Sequence, residues 1–387
     1  MTHSMTTRLR RAAAAHRRGV PVTLSLYIAR QFMLSVIAMI MALSGLVSLF
    51  DFIDLLRRVA TRPNVPTSLV SKIALFHIPY FIIMILPFGV LLGGIICFWR
   101  LTRSSELIVA RASGISAWQF LAAPLACALM IGAFATAGLS PLSSAMYRRA
   151  ELLDETYLRT GGGPLMLNGG ALWVRQMDSV SGEHGVAILH ARDVHQIDGV
   201  LHIDNVSVFR IDDHDHLVLR IESPHGLLAN HAWQLAEASS IMPNHLPVRI
   251  GDYTLPTNLT LRRVEQSFAS PETMSVWTLP GFIRLLERSG FSSIRQRLHF
   301  QTLLALPILA GTMALVSAGF SMRPTRRGGV ARMIGSGVAA GFALFTVSKV
   351  AAQFGESGAL PPVLAAWAPT GAGLCLAVAL LLHLEDG

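Results

Sequence analysis

Six long apolar stretches restrict the fold of this chain more than any other feature of its sequence. They lie at residues 31–50, 73–99, 116–139, 300–322, 332–354 and 362–383. A bilayer core about 30 Å thick is crossed by roughly 20 mostly apolar residues in an α-helix. Each stretch is long enough, so we predict six transmembrane helices, three on either side of a central region that is not apolar.

The composition agrees with a membrane protein. Apolar residues make up 52% of the chain and charged residues only 14%, whereas about 25% of residues are charged in soluble proteins. The net charge of +9 raises the alternative of nucleic-acid binding. The arginines cluster at the ends of the apolar stretches, however, where they determine topology. We therefore predict no nucleic-acid partner.

The basic residues of the short loops predict the orientation of the chain. With a cytoplasmic N-terminus, the inner segments carry Arg8, Arg10, Arg11, Arg17, Arg18, Arg100, Arg103, Arg111, Arg323, Arg326, Arg327 and Arg332, and the outer loops carry Arg57, Arg58, Arg62 and Lys72. Twelve inside against four outside satisfies the positive-inside rule. Both termini are therefore predicted to be cytoplasmic. The central region then lies outside, which in a bacterial inner membrane is the periplasm.

Residues 147–298 have the pattern of an extramembrane β domain. Short runs of alternating polar and apolar residues are separated by turn-forming dipeptides, as in an antiparallel sandwich or jelly roll. The predicted strands are 171–176, 186–191, 200–211, 216–221, 226–230 and 246–253. Residues 282–288 are predicted to form a helix that returns the chain to the membrane. The cysteines lie in predicted spans, so this domain depends on its own core.

The predicted fold class is thus a membrane protein with six transmembrane α-helices, arranged 3+3, and an inserted periplasmic β-jelly-roll-like domain. Residues 1–146 hold an N-terminal cytoplasmic and interfacial segment, the first three spans and a short cytoplasmic helix at 104–113. Residues 147–298 form the β domain, and residues 299–387 hold the last three spans.

No motif of catalysis or metal binding is convincing. The chain has neither a Walker A sequence nor a nucleophile elbow. The run Asp212–His216 resembles a metal site, but no second cluster completes it and it lies where a hairpin turn is expected, so we favour a solvated turn. The sequence therefore predicts a protein that is not an enzyme and has no cofactor of its own.

The loop between the second and third spans has the pattern of a short, mostly apolar helix. Ser104 is a plausible N-cap, Glu106 places a carboxylate in the first turn, and Gly114 is a natural stop. An apolar helix outside the membrane must be buried against something. It either lies on the lipid surface or fits a groove on a cytoplasmic ATPase, with Glu106 and Arg103 or Arg111 making polar contacts. The spacing alone does not decide between these two.

Three motifs carry a family resemblance: Phe52–Arg58 (FIDLLRR), Arg103–Gly114 (RSSELIVARASG) and Leu360–Pro369 (LPPVLAAWAP). With them, the whole chain resembles the LptF/LptG family of lipopolysaccharide-export permeases, which are subunits of an ABC transporter. The C-terminal residues 382–387 and the loop 320–329 resemble the G-type more than the F-type subunit. The F-type paralogue remains the alternative.

The resemblance implies the partners of such a permease. They are a second permease of the LptF type, a dimeric cytoplasmic ATPase of the LptB type that uses ATP and Mg, and a single-span periplasmic β-jelly-roll protein of the LptC type. The substrate is lipopolysaccharide, moved from the Gram-negative inner membrane towards the outer membrane. The residues matching the family's ATPase-coupling segment are Arg103, Glu106, Leu107, Arg111 and Gly114.

The resemblance also implies sites for the lipid. In the family, basic residues at the outer rim of the cavity bind the phosphates of lipid A, and Arg57, Arg58 and Arg148 match that pattern. The alternative for each is an arginine that extends to lipid headgroups. Asp51 departs from the pattern, because some relatives carry a basic residue there.

Lys349 is an intramembrane cation within the fifth predicted span. A charged residue at that depth usually faces a cavity or a partner. We therefore predict that Lys349 lines the lipid cavity or the contact with the second permease. Two other classes stay open: a secondary transporter, which needs ionisable residues in both membrane halves, and a membrane scaffold whose β domain is a docking module.

Overall fold

The computed structural model describes residues 22–60, 66–104, 106, 116–158, 165–168, 171–178, 185–197, 200–211, 216–242, 245–261, 264, 270–321 and 330–386. They divide into two compact units. A helical unit has the boundaries Met1–Leu55, His77–Ser143 and Phe300–Gly387, and a β unit has the boundaries Leu56–Phe76 and Ser144–His299.

The helices described below are numbered in chain order. They are α1 Val22–Val59, α2 Thr67–Arg103, α3 Ala117–Phe134, α4 Ser140–Leu153, α5 Leu279–Arg288, α6 Ile294–Ser321, α7 Val330–Glu356 and α8 Pro362–Asp386. Two π-helical turns, Ala135–Leu139 and Asp154–Leu158, follow α3 and α4. Six helical segments among the described residues are long and apolar enough to cross a membrane. The predicted 3+3 arrangement of spans is confirmed, and the interfacial segment before the first span is continuous with α1.

The start of α3 is fixed by a capping box. The Ser116 hydroxyl accepts a hydrogen bond from the Gln119 backbone N–H, and the Gln119 side-chain oxygen accepts one from the Ser116 backbone N–H, each at 3.2 Å. Both amides belong to the group that a helix leaves without partners at its N-terminus. The third span therefore begins at a defined residue.

Aromatic side chains join the first three spans of the helical unit. The Phe98 ring on α2 lies 6.0 Å from the Phe32 ring on α1 and 6.4 Å from the Phe120 ring on α3, measured between centroids. All three side chains are buried. Tilted ring pairs at such distances add to the packing energy of the buried surface.

A threonine from a neighbouring span supplies the hydrogen bond that a proline in α6 cannot make. Pro307 has no N–H to donate to the carbonyl of Leu303, four residues earlier. The hydroxyl of Thr136, in the first π-helical turn, donates to this carbonyl at 2.8 Å, and the bond is buried. Gly132 permits the approach, because a Cβ at that position would lie 2.5 Å from Pro307 Cα. The helix α6 therefore tolerates its proline through a partner from another span.

The β unit contains one antiparallel sheet of seven strands among the described residues. The strands are β1 Leu165–Asn168, β2 Ala171–Asp178, β3 Gly185–Ile197, β4 Val200–Ile211, β5 Leu217–Ala229, β6 Ala232–Ile241 and β7 Val248–Pro256. Each strand pairs with the next in sequence, so the sheet is an up-and-down meander. The predicted inserted antiparallel β domain is confirmed, and the strand order, which the sequence left open, is now defined.

Part of the strand prediction was wrong. The runs 216–221 and 226–230 form the single strand β5, and the strands β1 and β6 were not predicted. The Ser223 hydroxyl on β5 lies 2.6 Å from the carbonyl oxygens of both His225 and Ala236 and so links β5 to β6. In β6, Glu237 has a φ of 52°, which shifts the alternation of buried and exposed residues and hides the strand pattern.

Helix α5 closes one side of the β unit. Its Leu286 and the following Phe291 are buried in the core of the sheet. The Gln196 backbone N–H on β3 donates to the Ser289 carbonyl at 2.9 Å. Gly290 has a φ of 75°, and a Cβ there would collide with the Gln196 carbonyl oxygen. The Glu287 carboxylate then pairs with Arg297 at the start of α6. A continuous set of contacts thus connects β3, α5 and the first turn of α6.

Candidate functional site

The predicted rim arginines lie on exposed helix surfaces of the β unit. Arg57 and Arg58 occupy the last turn of α1, where cations are favoured by the negative end of the helix dipole. Arg148 is exposed on α4. Arg57 and Arg148 make no hydrogen bond or ion pair within the described part of the chain. Both guanidinium groups can therefore form bidentate contacts with an anion such as a phosphate.

The departure from the family pattern at Asp51 has a structural explanation. Its carboxylate on α1 lies 2.8 Å from Nδ1 of His77 on α2, and the two side chains are only 23% and 17% exposed. The edge of the His77 ring also faces the Phe81 ring at 5.9 Å. This pair was not predicted from the sequence. An ionisable residue inside the second apolar stretch was the available signal, since such residues are usually paired.

Lys349 lies on an open face of α7. Its Nζ is 5.5 Å from the centroid of the Phe345 ring, which packs against Phe88 of α2 at 4.8 Å. It borders an open surface pocket of about 630 Å³ whose lining residues all lie between 342 and 357, on α7 and the turn after it. Phe342, Val347, Val350 and Phe354 are exposed on the same helix. Between residues 342 and 354, this helix therefore presents an apolar surface whose one cation is Lys349.

The segment after α2 is described only in part. The Arg103 guanidinium lies 5.5 Å from the Trp99 ring centroid. The Ser104 hydroxyl donates to the Arg100 carbonyl at 3.1 Å and so caps the end of α2. Glu106 lies 3.5 Å from the hydroxyl of Tyr27 on α1. Apart from Ser104 and Glu106, the predicted helix at 104–113 lies outside the described residues, as do the site residues Leu107, Arg111 and Gly114.

The predicted site residues do not converge on one catalytic centre. Among those that the structure describes, no hydrogen bond or ion pair joins Arg57, Arg103, Glu106, Arg148 or Lys349 to another member of the set. Within the described ranges, no group of three or more His, Cys, Asp or Glu side chains is arranged to hold a metal ion. The residues 212–215 of the Asp/His-rich run lie outside those ranges.

Comparison with known proteins decides the family. The sequence profile of the family described as "Lipopolysaccharide export system permease LptF/LptG" matches residues 26–383, which include nearly all of the helices and strands given above. The chain belongs to this family. The resemblance inferred from the three motifs is confirmed.

Two relatives of this LptF/LptG permease are similar over almost their whole length. The lipopolysaccharide export system permease protein LptG of Haemophilus influenzae is 24% identical over 369 residues, which cover 90% of this chain and 95% of the relative. The protein of the same name from Escherichia coli K12 is 21% identical over 356 residues, covering 89% and 93%. The family and the six apolar helices make this chain a multi-pass membrane permease.

Proposed function

We propose that this chain is the G-type permease subunit of an ABC transporter that extracts lipopolysaccharide from the bacterial inner membrane and passes it to a periplasmic β-jelly-roll protein. The observation that carries the proposal is the family match over residues 26–383. Six membrane-length helices and an antiparallel sheet between the third and fourth agree with it. The F-type subunit of the same complex is the alternative.

The proposed topology places both termini in the cytoplasm and the β unit in the periplasm. It rests on the excess of arginines in the inner loops. A chain without native cysteines and with one new cysteine at Asn230, in the exposed turn between β5 and β6, tests it. A membrane-impermeant maleimide should label this cysteine in intact spheroplasts, and a cysteine at Ser104 only after permeabilisation. The reverse labelling would refute the orientation.

The proposed lipid site combines the rim arginines with apolar helix surfaces. Arg57, Arg58 and Arg148 bind the phosphates of lipid A, because planar guanidinium groups match phosphate oxygens and bind more strongly where water is scarce. The acyl chains lie against exposed apolar side chains of α1 and α7. Lys349 lines the lipid cavity or the contact with the LptF-type partner, since a cation within a span needs a polar or anionic neighbour.

The proposed energy source is a partner protein. A cytoplasmic dimer of the LptB type binds ATP and Mg, and the segment from Arg103 to Gly114 fits into it as a coupling helix. Glu106 contributes a carboxylate at its first turn. Closure of the ATPase dimer moves this helix, and the lipid passes upwards to the β domain and on to an LptC-type protein. The chain itself hydrolyses nothing.

Mass spectrometry of proteins that co-purify with the tagged chain tests the proposal. The chain is taken from its native membrane in mild detergent, beside a Glu106→Ala variant and an Asp252→Ala control. Asp252 is an exposed carboxylate on β7, outside the proposed coupling segment. A stoichiometric ATPase and a second permease are expected with the wild type and the control, and weaker ATPase recovery with Glu106→Ala. Recovery of the wild type without an ATPase would favour the scaffold or the secondary transporter.

A further inference from the structure

A cluster of five polar side chains occupies the outer face of strands β3, β4 and β5. Its members are Asp193, His195, His202, Asp204 and His225. They face away from the core, because Val194 and Ile203, which lie between them along the strands, are buried, and successive side chains in a strand point to opposite faces. The proposed transport function does not use this cluster.

The carboxylate of Asp204 lies beside two of the imidazoles and is hydrogen-bonded to that of His225. Its Oδ2 lies 3.4 Å from Nδ1 of His195, and its Oδ1 lies 2.7 Å from Nδ1 of His225. A carboxylate that accepts a bond from Nδ1–H leaves the lone pair on Nε2. Metal-binding histidines are commonly fixed in this tautomer by such a carboxylate. The Nδ1 side of the His195 ring faces this carboxylate at 3.4 Å, which leaves Nε2 on the opposite side of the ring.

A second imidazole lies beside that of His195. His202 is its direct cross-strand partner in the register of β3 and β4, where Cβ atoms are about 4.5–5.5 Å apart. The two rings are nearly parallel, with 11° between their planes and 5.7 Å between their centroids. His202 makes no hydrogen bond or ion pair within the described residues. Rotation of the His202 side chain can therefore bring its ring to an ion bound at His195, at metal–nitrogen distances of about 2.0–2.1 Å.

The charge around this histidine pair attracts cations. Asp193 is the direct cross-strand partner of Asp204, and like charges in that position destabilise a sheet. Asp193 makes no hydrogen bond or ion pair in the part of the chain that the structure describes. A cation bound beside the two carboxylates would offset their repulsion.

We propose that His195 and His202 chelate one divalent first-row transition-metal ion, such as Zn²⁺ or Cu²⁺, and that Asp204 positions His195 for this role. Imidazole donors favour these ions over Mg²⁺ and Ca²⁺, which prefer oxygen ligands. The site is a two-residue chelate whose remaining positions are filled by water. A chelate of two residues is compatible with the absence, within the described ranges, of three or more His, Cys, Asp or Glu side chains arranged to hold a metal ion. The bound ion links β3 to β4.

Metal titration of the full-length chain tests the site. The protein is purified through a tag without histidine and treated with a chelator, and Zn²⁺ binding is then measured by calorimetry. Electron paramagnetic resonance with Cu²⁺ reports the number of coordinating nitrogens. We expect saturable binding, two imidazole nitrogens per Cu²⁺, and a higher unfolding temperature with Zn²⁺. Asp204→Asn should weaken Zn²⁺ binding about tenfold, as the loss of a carboxylate behind a metal ligand does.

Histidine variants separate this site from other donors. His195→Gln and His202→Gln should each weaken Zn²⁺ binding by more than the Asp204→Asn change and remove one nitrogen signal. His216→Gln should leave the affinity unchanged. His216 is the key control, because it ends the Asp/His-rich run 212–216. Binding that survives loss of both His195 and His202 but not of His216 would overturn the proposal, as would no saturable binding of Zn²⁺ or Cu²⁺.

Discussion

Replacement of Thr136 by valine keeps the shape of the side chain and removes the hydrogen bond to the Leu303 carbonyl. That carbonyl receives no backbone hydrogen bond from residue 307, because proline has no N–H, and its bond to Thr136 is buried. Hydrogen bonds between membrane helices average about 0.6 kcal/mol and reach about 1.7 kcal/mol, and an unsatisfied buried acceptor costs about 1–3 kcal/mol. Because the bond has no substitute within α6, we expect Thr136→Val to reduce the free energy of unfolding by about 1.5 kcal/mol.

The reason for this cost is tested by a double-mutant cycle. Pro307→Ala restores an N–H that can donate to Leu303, so Thr136→Val should cost at most about 0.5 kcal/mol in that background. Thr346→Val is the matched control, because the Thr346 hydroxyl donates to Phe342 of its own regular helix at 2.9 Å. The assay is equilibrium unfolding in mixed detergent micelles. Equal costs of Thr136→Val with and without Pro307 would refute the reasoning.

Three further predictions concern the contact of α5 with β3 and the proposed lipid site. Gly290→Ala should destabilise the β unit by about 2 kcal/mol in thermal unfolding, because residue 290 has a positive φ and its new Cβ would collide with the Gln196 carbonyl oxygen. Gly281→Ala is the control: the space around Gly281 is open, so this change should stabilise the β unit by about 0.5 kcal/mol. Arg57→Gln with Arg58→Gln should lower the affinity for bisphosphorylated lipid A about tenfold and leave binding of the dephosphorylated lipid unchanged; equal losses would contradict a phosphate site. Lys349→Leu should reduce complex formation or transport in reconstituted vesicles, and unchanged values of both would remove its proposed role.

The sequence predicted the membrane architecture well because hydrophobicity alone determines it. A run such as 73–99 has no other stable environment than a bilayer or a protein core, even with Pro79 and Pro87 inside it. The strands were harder to predict. In β6 the small residues Ala236, Ala238 and Ser239 carry little of the β-branched signal, and pairing with β5 and β7 determines the structure.

Some features of the site residues could likewise be predicted from local sequence, and others could not. The exposure of Arg57 and Arg148 follows from helix ends and surfaces that a sequence pattern shows. The pair of Asp51 and His77 joins different helices and depends on how α1 packs on α2. The position of His195 opposite His202 likewise depends on the register of β3 and β4, which cannot be read from the local sequence.

The contacts between β3, α5 and α6 determine how motion passes through the β unit. Three kinds of contact connect the sheet to the first turn of α6 through α5. They are the Gln196 backbone hydrogen bond, the buried side chains of Leu286 and Phe291, and the ion pair of Glu287 with Arg297. Separation of α5 from β3 would expose apolar surface and break a backbone hydrogen bond. Within the β unit, a displacement of that first turn is therefore passed on to β3 instead of being absorbed between α5 and the sheet.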